Sequence, residues 1–334
     1  MTRTIRAAAS LFVFAIVLPV AGGSAEDMNS TILIGNSRID VAIERSSGGP
    51  PAEDLNWWIR SAAESVATYY GHFPLPHLWL RVSTRSGRGV GHGKTFAREG
   101  GTIYISVGSD SSRKDFESDW MLTHEMVHLA FPSTPDDQHW IEEGTSTYVE
   151  PIARVQAKHL DASEMWYDLV RDLPQGLPGP GDQGLDHTHT WGRTYWGGAL
   201  FCFLADVEIR RETKNEKGLQ DALRGILVAG ADIRRDMDLE SALAIGDRAV
   251  GVPVLVTLYR QMKDKPGDTD LPALWEKLGI KVVGKSVKFN DIAPLAATRI
   301  AITTGHPANS LRADVPASAR AVFAGVVSRT RAPA

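Results

Sequence analysis

The chain has 334 residues, 43% of them apolar, and a formal net charge of −4. That is the make-up of a folded soluble protein with a sizeable core, in one large domain or two modest ones. With no long same-sign run, it leaves no electrostatic reason for nucleic acid or an anionic membrane surface as partner. The single cysteine, Cys202, excludes an internal disulfide.

The first segment carries Arg3 and Arg6, then an apolar run from Leu11 to Ala21, then Gly22, Gly23, Ser24 and Ala25 before Glu26. This pattern reads as a secretory signal cut near Ala25, and the run is too short for a membrane span, which needs roughly 20 apolar residues. The mature protein is therefore expected outside the cytoplasm, periplasmic or extracellular, with no stable membrane insertion. If the segment stays uncut, a membrane-tethered sensor or secretion factor is the alternative.

Beyond residue 25, alternating apolar residues from Thr31 to Ile43 predict one or two strands, broken off by Ser46-Ser47-Gly48-Gly49-Pro50-Pro51. Leu55, Trp58, Ile59, Ala62, Val66 and Tyr69 recur at helical spacing and predict a helix ending at Gly71. Strands are expected at Leu78–Val82 and Thr102–Val107. The glycine-rich stretch between them, with Gly87, Gly89, Gly91 and Gly93, is too irregular for a phosphate loop. After possible caps at Ser109–Ser112, a helix is predicted from Lys114 to Phe131; Pro132 and Pro135 force a loop, and a second helix starts near Ile141 and runs towards Val155.

Leu173–Asp186, rich in Pro and Gly, reads as a loop bordering a cleft. Helical patterns resume at Tyr195–Ile209, Leu219–Val228, Val254–Met262 and Leu271–Leu278. In the first of these, Cys202 reads as a buried structural thiol, and it lies too far from the signal to carry a lipoprotein lipid. Lys281–Val283, Ser286–Phe289 and Arg299–Ile302 read as short strands. The final twenty residues carry no assignment, and no internal repeat is present. The expected organisation is α+β: signal 1–25, a small strand and helix layer with an edge strand in 26–112, a helical part in 113–265, and a helix with short strands in 266–334.

Within the helix predicted from Lys114 lies His124-Glu125-Met126-Val127-His128. Residues four apart share a helix face, so both imidazoles can reach one metal ion with Glu125 beside a water on it, the arrangement for zinc-assisted amide hydrolysis. Met121, Leu122, Met126, Val127 and Leu129 make this helix largely apolar. Two histidines and a carboxylate buried without partners there would cost about 1–3 kcal/mol each, and ligation satisfies them. Zinc needs a third protein ligand, for which Glu143 is the choice, fourteen residues intervening after His128. Glu142 is its competitor; the two project about 100° apart on a helix, so only one faces the ion. His139 and Asp137 are weaker candidates because loops place ligands less rigidly. Phe131 and Thr134 stand where the metzincin pattern requires glycine and a third histidine, which excludes that arrangement.

Trp140-Ile141-Glu142-Glu143-Gly144-Thr145-Ser146-Thr147-Tyr148-Val149-Glu150 resembles the WLNEGFASYxE segment of gluzincin metallopeptidases. The resemblance implies a thermolysin-like zincin fold, selects Glu143 as third ligand of one Zn2+, and sets Glu150 as an acidic support behind the ligands, against its reading as a solvated helix position. Tyr195-Trp196-Gly197-Gly198-Ala199-Leu200 resembles the Tyr-x-x-Gly-Ala-Leu element of aminopeptidase-N-like and glycyl-aminopeptidase-like members, which implies that Tyr195 binds the oxyanion. The likeness spans about Asp115 to Asp206. Two features depart from it: the loop between His128 and Glu143 is a few residues shorter, and the Gly-x-Met-Glu-Asn strand that holds a substrate's amino terminus is missing. Gly100–Ile105 stands near its place as an edge strand without an acidic residue.

The expectation is an exported zinc peptidase acting on peptide or protein substrates, with Glu125 as general base. Its rival is a noncatalytic zinc-stabilised binding or scaffold protein. His187 and His189 read as a polar loop rather than a second metal cluster.

Overall fold

The computed structural model describes residues 28–44 and 49–305. The segment read as a secretory signal, half of the Ser46–Pro51 breaker and the unassigned tail lie outside the described residues. Five strands, β1 (Met28–Ile34), β2 (Ser37–Glu44), β3 (His77–Arg85), β4 (Val90–Phe96) and β5 (Thr102–Gly108), form one sheet in the order β1-β2-β3-β5-β4. The β2–β3 and β3–β5 pairs are parallel; β1 and β4 close the two ends antiparallel. Helix α1 (Ala52–Tyr70) makes the β2-to-β3 crossover, buries the predicted stripe Leu55, Trp58, Ile59, Ala62, Val66 and Tyr69, and stops at Gly71 in the left-handed region.

The edge strand is not Gly100–Ile105, as the sequence led us to expect. β5 lies inside the sheet and β4, drawn from the glycine-rich stretch, covers its open side. Glycines carry no alternation of apolar and polar side chains, so nothing in the pattern marked β4 as a strand.

The helical part follows: α2 (Arg113–Glu117), α3 (Met121–His128), α4 (His139–Gln156), α5 (Ala162–Asp172), α6 (Gly198–Glu212), α7 (Leu219–Val228), α8 (Leu239–Val250), α9 (Val254–Met262) and α10 (Leu271–Leu278). A hairpin of β6 (Ile280–Val283) and β7 (Ser286–Phe289) and the helix α11 (Ala296–Thr304) complete the described chain. α5 and α8 carried no assignment from the sequence. The single helix expected from Lys114 to Phe131 is two: Asp119 accepts from the amides of Met121 and Leu122 at 3.0 and 3.2 Å, starting α3 afresh, and is itself held by Trp58 Nε1 at 2.7 Å. Arg299–Ile302 is helical rather than extended. Thr298, Arg299 and Ile302 are buried, and the Arg299 guanidinium donates to the carbonyls of Leu278 and Gly279, so tertiary contacts override the β-branched composition.

No helix of the described residues is long and apolar enough to cross a membrane. Cys202 is buried against Thr145, and burial pushes its thiol up to about 12, as a structural thiol requires.

Candidate metal centre

α3 packs against both α4 and β4, and its contact with α4 brings three side chains together. His124 Nε2 lies 3.1 Å and His128 Nε2 3.5 Å from the same oxygen, Glu143 Oε2. One donor atom from each of the three falls within 4.8 Å of the others. Ligands at about 2.0–2.1 Å around a tetrahedral ion stand roughly 3.3 Å apart, so this spacing fits zinc. All three side chains are nearly sealed from solvent, and two nitrogens and a carboxylate oxygen are a borderline-soft donor set suited to that ion.

The two imidazoles differ electrostatically. Burial holds His124 below its ordinary value, outweighing the pull of Glu143, whereas at His128 the hydrogen bond and charge of Glu143 outweigh burial and hold the ring above its own. Burial alone would raise the Glu143 carboxyl, but hydrogen bonds from His124, His128 and His139 hold it well below the usual carboxylate range.

The competitors separate cleanly. Glu142 turns out of the site: its Oε1 accepts from the amide and hydroxyl of Thr134 at 2.7 and 2.8 Å, tying down the loop between α3 and α4. His139 does not replace Glu143; its Nε2 stands 3.1 Å from Glu143 Oε1 and braces the oxygen that faces away from His124. Asp137 is exposed. Glu150 is buried, not solvated, yet its partner is Arg154 at 3.0 Å, and His124 Nδ1 is a buried nitrogen with no hydrogen bond. His187 pairs with Asp264 at 2.9 Å on the surface, and His189 is exposed, in keeping with a polar loop.

Glu125 points towards β4. Its Oε2 accepts from Thr95 Oγ1 at 2.6 Å, and the same hydroxyl reaches the Glu125 carbonyl at 2.9 Å. A methyl group at Gly93 would stand 2.8 Å from Glu125 Cγ, so this strand approaches the helix so closely only because position 93 has no side chain. Thr95 escaped the sequence reading along with its strand.

Tyr195 sits in a π-helical turn, Gly192–Gly197, leading into α6. Its ring lies 6.4 Å from that of His124 at an interplanar angle of 21°. Burial, with the charges of Glu143 and Glu125, pushes its hydroxyl up to about 12, so it stays a proton donor. Two features position the turn. Arg193, buried, pairs with Asp182 at 2.7 Å and donates to the Gly176 carbonyl, a long-range link that no local pattern announces. α4 and α6 also cross in backbone contact at Gly144 and Gly198, where a methyl on either would lie 2.2 or 2.1 Å from main-chain atoms of the other helix.

A cleft of about 1110 Å³ opens beside His124 and Tyr195, lined by α4 and α5 together with Trp120 and Trp191. The Leu173–Asp186 loop does not line it; its role is to anchor the Tyr195 turn.

No protein-family model and no curated protein matches the chain. Among solved structures, an aminopeptidase N family protein from Idiomarina loihiensis is similar, with a TM-score of 0.57 at 12% identity, covering 76% of this chain and 49% of that one. A mutant M1 zinc metallopeptidase from Deinococcus radiodurans gives a TM-score of 0.49 at 15% identity, over 75% and 54%. The chain thus spans about half the length of these structures. What is shared with the first of them at such identity is architecture alone, a small sheet followed by helices.

Proposed function

We propose that this chain is an exported zinc-dependent peptidase that hydrolyses peptide bonds in peptide or protein substrates. The observation that carries the reading is the convergence of His124, His128 and Glu143 with Glu125 at their side. Those three side chains would hold the ion. Zinc bound there supplies Lewis acidity, lowering the pKa of water to about 7 and polarising a carbonyl.

The chain's own groups do the remaining work. Glu125, steadied by Thr95 and almost wholly buried, takes the proton of the attacking water and delivers it to the leaving amine. Tyr195, protonated across the physiological range, donates to the carbonyl oxygen as it becomes negative. A noncatalytic zinc scaffold would need the three ligands but not Glu125.

The test is zinc content measured alongside a mixed-peptide digest read by mass spectrometry. Glu125→Gln should retain stoichiometric zinc and lose turnover. Full activity in that variant would reject this mechanism, and a zinc-loaded wild type that cuts nothing would favour the scaffold.

A further inference from the structure

Two walls of the centre bear on what it can take. On one runs β4, the end strand of the sheet, whose Gly93 and Thr95 face α3 so that nearly bare backbone passes beside Glu125. An end strand offers unpaired N–H and C=O groups to an extended peptide. β4, Val-Gly-His-Gly-Lys-Thr-Phe, contains no carboxylate to hold an amino terminus. Glu142 is held by Thr134; of the carboxylates that line the neighbouring cleft, Glu150 pairs with Arg154, and Asp168 and Asp172 pair with Arg171.

The other wall, on the side of His124 and Tyr195, is the 1110 Å³ cleft, far larger than one side chain and continuing past Met165 and Leu169 of α5. Four of its rings form a continuous row: Trp120 to His124 at 5.5 Å, His124 to Tyr195 at 6.4 Å, Tyr195 to Trp191 at 5.6 Å. The middle pair belongs to the reaction centre. The end members are indoles left 49% and 62% exposed, which puts two large apolar surfaces on either flank of the reacting atoms. Such surfaces gain most by packing against another large apolar or aromatic group.

Building on the peptidase reading, we propose that the substrate is an extended peptide bound by its interior, with a large apolar or aromatic side chain next to the scissile bond seated against Trp191, and Trp120 left to the residue across the cut. The free amino terminus then plays no part in recognition, and residues on both sides of the cut contribute to binding.

The experiment uses the zinc-loaded protein and matched peptides, each made with a free and an acetylated amino terminus and with Phe, Leu, Ala or Asp at one varied interior position. Interior cuts beside Phe or Leu, at equal rates in free and acetylated forms, are expected. Release of the first residue from free peptides alone would overturn the proposal while leaving the peptidase reading intact, as would interior cuts indifferent to the varied residue. No cut in any peptide would overturn both. Trp191→Ala should lower the Phe-to-Ala ratio of kcat/KM about tenfold, the scale of one aromatic contact, with zinc content unchanged. Zinc-loaded Glu125→Gln should show tryptophan fluorescence changes on titration with the acetylated Phe peptide and much weaker ones with its Asp counterpart; equal responses would count against the aromatic seat.

Discussion

Gly198→Ala tests whether the reaction centre depends on the α4–α6 crossing. The added methyl would stand 2.1 Å from the Trp140 carbonyl oxygen and 2.7 Å from Gly144 Cα, against ordinary contacts of about 3.5 Å, so the helices must part by more than about 1 Å. Both obstructing atoms are backbone, and no side-chain rotation relieves them. Overpacking of this kind costs roughly 1–3 kcal/mol, here at the upper end, while alanine's better helix propensity returns up to about 1 kcal/mol. A net loss of about 2 kcal/mol corresponds to a fall in Tm of roughly 3–4 °C for a domain of this size.

Differential scanning calorimetry on the zinc-loaded protein measures it, with Gly179→Ala as control because a methyl there meets nothing within 4 Å. Since Tyr195 precedes the crossing by one helical turn, peptide hydrolysis should fall with stability. A Gly198→Ala protein melting within 1 °C or so of wild type, with unchanged turnover, would refute the packing argument.

Tyr195→Phe removes the proposed oxyanion donor and should lower kcat by about 10²–10³ while sparing Tm and zinc content; unchanged kcat assigns that role to another group. His128→Ala, or Glu143→Ala, should lose zinc on dialysis against a mild chelator, and chelation of the wild type should lower its Tm because the ion binds only the folded chain; tight zinc retention in either variant would mean that the ligand set is misassigned. Burial raises the Glu150 carboxyl from 4.5 to about 7, against the opposing pull of Arg154. The folded state then holds that proton more tightly than the unfolded state. Its contribution to stability is present below about pH 4.5 and lost as pH rises through 7, on the order of 3 kcal/mol in all. Urea midpoints at pH 5 and pH 8 should therefore diverge in the wild type and converge in Glu150→Gln; equal slopes in both proteins would count against the burial argument.

His124, Glu125 and His128 were legible in the sequence because their relation is local: a helix puts residues four apart on one face whatever surrounds it. The same locality made the α1 stripe and the boundaries of α7 and α10 readable. Elsewhere local pattern misled. The helix predicted through Ser118–Trp120 breaks because a carboxylate held by Trp58, 61 residues away, caps its second half, and β4 was hidden because its glycines answer to Glu125 and Ser106 rather than to a pleat of their own.

From the sequence alone came a candidate ligand pair, a candidate base and, by resemblance, a candidate third ligand with a tyrosine to match. Only the tertiary structure decided that Glu143 meets the imidazoles while Glu142 is spent on Thr134, that Glu150 turns to Arg154, and that Tyr195 reaches His124 through a π turn pinned by Arg193 and a glycine crossing. The physical reason is range. A helix's periodicity is written within four residues, whereas the choice between adjacent carboxylates is made by partners on other elements whose separation in sequence carries no information about their distance in space.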